Sequence, residues 1–203
     1  MRRILVCFIC FFPLPLHAAQ RNALSAWFVD SLVKVFPDSP AAKSKVAVAL
    51  VSACNGHTSV QVALHSELHQ VIHVHVISPR LGNAALKVQA YRVGTVNVNS
   101  HPTDTPLDEV ARPEVGPYPD PLFPLGKEIV LEISRTETLW LSLFTPGDTR
   151  PGIYRGLVAI DAGKQKLRLP FSVEVFCDCA EKTEALGDKL VLVRKRADGE
   201  ALS

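Results

Sequence analysis

The sequence carries almost no net charge and no long apolar run. Its 203 residues include 22 basic and 20 acidic side chains, for a formal net charge of +2 at neutral pH. Such a balance lacks the excess of positive charge that binding to nucleic acid or to an anionic membrane surface requires. The longest apolar run is shorter than the roughly 20 residues that a membrane-spanning helix needs. We therefore expect no nucleic-acid partner.

Glycine and proline are not enriched, at 11 and 15 residues, which is close to ordinary usage. This excludes a collagen-like or low-complexity chain. With 47% hydrophobic and 21% charged residues, the composition is that of a folded globular protein. A (β/α)₈ barrel needs roughly 200 to 250 residues by itself, so the chain has no room for a barrel beside any other domain.

Residues 1–19 have the pattern of a secretory signal peptide. Arg2 and Arg3 precede an apolar run over Ile4–Leu16, and two alanines follow shortly after it. These are the charged, apolar and cleavage regions of a leader. A retained anchor or a buried strand is the alternative interpretation of the run. We expect a secreted or periplasmic protein with no membrane span after leader removal and with 20 basic residues against 20 acidic ones.

Cysteine usage agrees with export. Cys7 and Cys10 lie in the predicted leader, so the mature chain keeps Cys54, Cys177 and Cys179, which allow one bridge and one free thiol. If Cys54 lies beside the end of the last core strand, it can form a disulfide with Cys177 or Cys179. The Cys-Asp-Cys spacing does not fit a zinc site, which separates paired cysteines by two or more residues. We expect no metal and no cofactor.

Hydrophobic alternation predicts an all-β fold. Apolar side chains at every second position mark one face of a strand, and such runs occur over 46–50, 60–64, 72–76, 86–93, 129–133, 139–144, 153–160 and 167–176. Helical spacing is weak, with one candidate over Ser31–Val35. The pattern predicts an antiparallel β-sandwich of about eight or nine strands, immunoglobulin-like or jelly-roll-like, over residues 20–176. A charged tail or linker over 177–203 follows it.

Seven of the fifteen prolines lie within residues 101–125. Proline has no N–H to donate, so we expect no regular ladder in this segment. The prolines restrict Tyr118 and Asp120 to extended conformations. We predict that residues 117–124 pack along a sheet face or edge and that residues 101–112 are mobile.

Four stretches of the chain resemble one known family. The longest reads WLSLFTPGDTRPGIYRG, and the other three are VDSLVKVFPD at 29–38, NGHTSVQ at 55–61 and YPDPL at 118–122. In this order, they are similar to the N-terminal β-sandwich domain of glycoside hydrolase family 123. The resemblance covers residues 27–176. One departure is Gly56, where the family usually has an acidic residue.

The resemblance implies a noncatalytic module. In family 123 the sandwich precedes a (β/α)₈ barrel, whose adjacent Asp-Glu pair hydrolyses N-acetylgalactosaminides with help from the acetamido group of the substrate. Only residues 177–203 follow the predicted sandwich, too few for a barrel. The one adjacent pair in this chain, Asp108 and Glu109, lies in the proline-rich segment. The catalytic roles of the family do not transfer to it, and we expect no enzyme activity.

Histidines are candidates for a metal site. His65, His69 and His73 are spaced by four, which would align three ligands on a helix. The surrounding alternation indicates strands instead, and it directs His73 and His75 away from the apolar face toward solvent. Exposed histidines on a sheet are the simpler interpretation.

Aromatic rings suit the faces of sugars. Trp140 lies within an apolar strand and Tyr154 follows a Pro-Gly turn, so we expect core or corner positions for both. Tyr118, with Asp120 nearby, is the predicted ligand-binding position because it lies in a loop.

These observations favour a secreted, noncatalytic accessory domain associated with glycan processing. The expected partner is a glycosidase catalytic barrel or a glycan. Two alternatives remain, a protein-binding or adhesion module and a truncated glycosidase with no independent activity.

Overall fold

The computed structural model describes residues 23–42, 46–101, 106 and 110–176. These residues form strands, turns and irregular segments, and among them no helix is present that is long and apolar enough to cross a membrane. The strands are β1 (Leu24–Asp30), β2 (Val48–Ala53), β3 (Gly56–Ser66), β4 (Gln70–Leu81), β5 (Ala84–Ala85), β6 (Lys87–Val98), β7 (Gly116–Pro124), β8 (Ile129–Leu131), β9 (Arg135–Thr145), β10 (Gly152–Ala162) and β11 (Gln165–Phe176).

The strands form two sheets, which confirms the predicted all-β sandwich. Sheet A has the order β1-β3-β9-β6-β7, and sheet B has the order β2-β11-β10-β4-β5, with β8 also paired to β4. The expectation of an entirely antiparallel fold is wrong in one place, because β2 pairs with β11 in parallel. A parallel pair requires a long connection, and here the chain between the two strands forms most of the sandwich.

The core lies between the sheets and follows from the alternation along each strand. Leu139, Leu141 and Leu143 on β9 are fully buried, and so is Val173 on β11, with Phe171 and Val175 buried two positions to either side. A buried aliphatic side chain of this size contributes roughly 1.5 to 3 kcal/mol. Phe171 lies over Gly156 on the adjacent strand, where an added Cβ would come within 2.5 Å of the ring.

All eight predicted strand regions overlap observed strands, but β1, β5 and β7 were not predicted as strands. The one candidate helical stretch, Ser31–Val35, does not form a helix. The chain turns there, with the Val33 N–H donating to the Asp30 carbonyl and the Leu32 N–H donating to Asp30 Oδ1 at 2.8 Å. Asp side chains favour such turns because they bond the backbone two residues on.

The proline-rich segment contains a regular edge strand. Residues 117–124 pack along the edge of sheet A as predicted, but they do so as β7, paired with β6, so the expectation of no ladder is wrong. The carbonyls of Pro117 and Pro119 point away from β6, toward Arg112 Nη2 and Lys34 Nζ. Backbone groups alternate in direction along a strand, so Pro117 and Pro119, which are two positions apart, lack N–H groups only on the free edge.

Several predictions concern residues that lie outside the described ranges. These are the leader over 1–19, the pair Asp108 and Glu109, the tail over 177–203 and most of the segment predicted to be mobile. They stay predictions.

Candidate functional site

A strap, residues 31–42, crosses the outer face of sheet A. Gln61 Nε2 donates to the carbonyls of Asp30 and Val33 at 2.8 and 2.7 Å. Val35 packs in a small cluster with Trp27 and Ala63. The strap thereby covers polar and apolar side chains of β1 and β3 that would otherwise face solvent.

The strap also bonds to β9. The Thr136 N–H donates to the Pro37 carbonyl at 2.9 Å, and Thr136 Oγ1 donates to the Ser39 carbonyl at 2.7 Å. The same hydroxyl lies 2.9 Å from His65 Nδ1. These bonds satisfy polar groups that are buried beneath the strap.

Tyr118 is held between the strap and the chain that precedes β7. Its ring meets Phe36 edge to face at 5.3 Å, and the Arg112 guanidinium lies 4.1 Å from the Phe36 centroid and 5.2 Å from the Tyr118 centroid. The Tyr118 hydroxyl is 2.8 Å from the Arg112 carbonyl and 3.0 Å from that of Glu114. These contacts use the hydroxyl internally, and a ligand-binding role for Tyr118 and the exposed Asp120 stays a prediction.

Arg112 is the residue that sequence reasoning missed here. Its Nη1 donates to both carboxylate oxygens of Asp38 at 2.9 Å, while its Nε is buried without a hydrogen-bond partner. Its partners Phe36 and Asp38 are distant in the sequence, and no local pattern marks the contact. Arg112 thus joins two of the stretches that resemble family 123. Phe36 and Asp38 belong to the stretch at 29–38, and Tyr118 belongs to the stretch at 118–122.

The other two stretches meet at the opposite end of sheet A. Gly56 pairs with Thr145 at the start of β3, directly after Asn55, which has a positive φ of 57°. A Cβ on residue 56 would lie 2.8 Å from the Ala53 carbonyl oxygen. The departure from the acidic residue of the family therefore coincides with a turn that leaves no room for a side chain.

Cys54 lies beside the end of β11. Its N–H donates to the Phe176 carbonyl at 3.0 Å, and its Sγ is 3.3 Å from the Thr149 carbonyl oxygen. Cys54 is disulfide-bonded, and the described ranges contain no other cysteine. Cys177 and Cys179 lie beyond those ranges, so the choice between them stays a prediction.

The described histidines do not come together at one site. His65 is buried on β3, with Nε2 3.4 Å from Glu67, whereas His69 pairs with Glu132 at 3.1 Å. His73 and His75 are exposed on β4, which confirms their predicted direction. Across the residues that the structure describes, no group of three or more His, Cys, Asp or Glu side chains is placed to hold a metal ion.

Two aromatic predictions have different outcomes. Tyr154 is fully buried and its hydroxyl donates to the Arg150 carbonyl at 3.0 Å, which confirms a corner position in the core. Trp140 is half-buried and pairs across the sheet with Gln61 and Tyr91. The alternation of β9 therefore places it on the outer face of sheet A rather than in the core.

A cleft opens where two central strands of sheet A separate. The pairing of β6 with β9 ends at Arg92 and Leu139, although β6 continues to Val98 and β9 begins at Arg135. The resulting space has a volume of about 190 Å³ and is lined by Val35, Pro37, Arg92, Val93, Gly94, Thr95, Pro119, Glu132, Arg135, Thr136, Glu137 and Thr138. Arg92 Nε donates to Glu137 Oε2 at 3.0 Å inside it.

Comparisons with known proteins give a structural match only. No protein-family model and no curated protein matches the sequence. The fold is similar to a family 123 glycoside hydrolase from Clostridium perfringens, studied for glycolipid glycan hydrolysis, with a TM-score of 0.64, 14% identity, and coverage of 77% of this chain and 28% of that one.

Two further solved structures have lower scores. A PapD-like domain of human CEP192 has a TM-score of 0.36 at 10% identity and covers 84% of this chain and 97% of that one. The sporulation control protein Spo0M of Bacillus subtilis has a TM-score of 0.38 at 7% identity, with coverage of 76% and 49%. The chain matches little more than a quarter of the hydrolase, and it has the β-sandwich fold found in that part of a family 123 enzyme.

Proposed function

We propose that the chain is a secreted, noncatalytic β-sandwich module that serves glycan processing, as the N-terminal module of a family 123 glycosidase does. The observation that carries the proposal is the fold similarity to a part of such a hydrolase, at a TM-score of 0.64. The four sequence stretches support it, because Arg112 and the turn at Gly56 bring them together in two pairs. The partner is a glycosidase catalytic barrel or a glycan.

The state of Cys54 supports export. Disulfides persist in extracellular and periplasmic compartments and are rare in the cytosol, and Cys54 is disulfide-bonded. This agrees with the leader predicted over residues 1–19.

The carboxylates of the cleft support a noncatalytic role. Hydrolysis of a glycoside needs a protonated carboxyl group as acid together with a second carboxylate or an acetamido oxygen. Glu137 accepts a hydrogen bond from Arg92, and Glu132 is exposed and paired with His69. Both carboxylates are therefore in contact with a basic side chain, Glu137 with Arg92 and Glu132 with His69.

The test uses the full chain, expressed with its own leader, in two assays. Aryl N-acetylgalactosaminides and N-acetylglucosaminides are the substrates for turnover, and an array of immobilised glycans reports binding. We expect retention on glycans without turnover. Turnover that an Asp108→Asn, Glu109→Gln double variant abolishes would overturn the noncatalytic assignment.

A protein-binding module is the second candidate, and one observation favours it. Val96, Leu122 and Phe123 on the β6–β7 edge are 50%, 44% and 54% exposed, and exposed large apolar side chains can contribute to a protein contact. If the array retains nothing and a defined protein partner loses binding to a Phe123→Ser variant, this function replaces the first.

A further inference from the structure

The cleft between β6 and β9 exposes backbone as well as side chains. Beyond Arg92 and Leu139, β7 is the only strand paired with β6 and β3 is the only strand paired with β9, although the Thr136 N–H of β9 already donates to the Pro37 carbonyl of the strap. Their facing edges near Gly94 and Thr138 therefore lack each other as partners. Buried or semi-buried backbone groups need a partner from the protein, water or a ligand. Such an edge can accept a polar ligand.

Gly94 makes this edge accessible. The register of β6 and β7 shifts between Val93 and Thr95, and such bulges reshape the strand locally. On one side Phe123 lies so close that a Cβ on Gly94 would come within 2.4 Å of its ring. On the other side the bare backbone of Gly94 lines the cleft.

The charges in the cleft are balanced. The lining includes two arginines, Arg92 and Arg135, and two glutamates, Glu132 and Glu137, of which Arg92 and Glu137 form an ion pair. An anionic ligand would meet both carboxylates and a cationic ligand would meet both guanidinium groups. A neutral ligand that carries hydrogen-bonding groups avoids both repulsions, and the Arg92–Glu137 pair still offers it donors and acceptors.

The remaining side chains that line the cleft are partly polar and partly apolar. Thr95 and Thr138 contribute hydroxyl groups, while the Thr136 hydroxyl is already bonded to Ser39 and His65; Val35, Pro37, Val93 and Pro119 contribute apolar surface. A sugar ring combines hydroxyl groups at its rim with an apolar C–H face. We propose that this cleft binds one neutral saccharide residue, with its hydroxyls on Arg92 and Glu137 and its apolar face on the strap and Pro119. This inference rests on the proposed glycan association and assigns it a site.

The experiment is an NMR titration of the ¹⁵N-labelled full chain with methyl glycosides of neutral hexoses and N-acetylhexosamines. Concentrations reach about 50 mM, because a single sugar residue is expected to bind with a Kd near 1 mM or weaker. We expect shifts at the amides of Gly94, Thr95, Glu137 and Thr138. Glucosamine and N-acetylneuraminic acid, which are charged, should bind more weakly.

Two double variants provide the specificity control. Arg92→Met with Glu137→Gln should weaken binding by about tenfold or more, because it removes hydrogen bonds to charged groups. Asp161→Asn with Lys166→Met removes an exposed ion pair of similar length, 2.9 Å, on sheet B, and should leave binding unchanged. Thermal unfolding of both variants checks that the fold is retained.

The outcomes separate this inference from the proposed function. Glycan retention on the array without shifts at the cleft amides, or with shifts around Tyr118 and Phe123 instead, would overturn the cleft assignment and leave the proposed function intact. Absence of both retention and shifts would overturn both. Equal weakening by the two double variants would also contradict the cleft site.

Discussion

The guanidinium carbon of Arg112 lies 4.1 Å from the centre of the Phe36 ring. This contact fastens the strap to the segment that leads into β7, and the Tyr118 ring lies 5.2 Å from the same guanidinium and meets Phe36 edge to face. The three side chains stabilise the free edge of sheet A by packing as well as by charge.

We expect Arg112→Ala to destabilise the fold by about 1 to 2 kcal/mol, since a partly desolvated cation–π contact contributes roughly that amount. Asp38→Asn is the matched control. The Asp38 side chain is 73% exposed, so loss of its ion pair should change stability by less than about 1 kcal/mol. Urea denaturation of both variants measures the difference. A larger effect for Asp38→Asn would show that charge rather than packing holds the strap.

The prolines of β7 protect the edge of sheet A. We expect a Pro117→Ala, Pro119→Ala double variant to self-associate more than the unchanged chain, because two N–H groups would then face outward from an edge strand. Each substitution should also cost about 0.4 to 1 kcal/mol through greater freedom of the unfolded chain. Analytical ultracentrifugation gives the mass distribution. An unchanged distribution would assign edge protection to the strap instead.

Two tyrosine hydroxyls provide a matched comparison. We expect Tyr154→Phe to lower stability by about 0.5 to 1.5 kcal/mol, because the hydrogen bond from its buried hydroxyl to the Arg150 carbonyl is lost. Tyr91→Phe removes an exposed bond to Gln89 Oε1 and should have no measurable effect. Chemical denaturation monitors both, and equal effects would contradict the corner role of Tyr154.

Asp161 contributes to folding stability in a pH-dependent way. The direction of this dependence follows from the hydrogen-bond partners of its carboxylate. The hydrogen bond from Lys166 Nζ, and then that from the Gly163 N–H, lower the pKa of Asp161. The associated stability is present above the unfolded pKa of an aspartate and is lost as pH falls through the lower folded value. We expect Lys166→Gln to move the pKa of Asp161 back upward, though incompletely since Gly163 remains. A carboxyl ¹³C titration measures this, and an unmoved pKa would exclude Lys166 as the main cause.

If the partner of Cys54 is Cys177 or Cys179, the disulfide links the end of β2 to the segment that follows β11. We expect peptide mapping of exported protein to find Cys54 joined to Cys177 or Cys179, with one free thiol left in the mature chain. Cys54→Ser should cost about 2 to 4 kcal/mol, because the bond constrains a long loop of the unfolded chain. Three free thiols in exported protein would contradict the prediction.

Local pattern was sufficient for most strands. Alternation around Val60, Leu141 and Leu169 marks a buried face regardless of which strand lies next to it, because the period of two is a property of the strand itself. The same logic placed His73 and His75 in solvent. It failed for β7, because prolines count against a strand unless the strand is known to be at an edge.

By itself, the amino-acid order determined that the chain folds as a β-sandwich, where most strands lie and which side chains of those strands face the core, apart from Trp140. Only the tertiary structure decided that Arg112 meets Phe36, that Gly56 sits in a closed turn and that a cleft opens beyond Arg92 and Leu139. Each of these depends on which strands become neighbours and where their pairing stops. That choice is made by contacts between distant parts of the chain, and it leaves no trace in any short stretch of sequence.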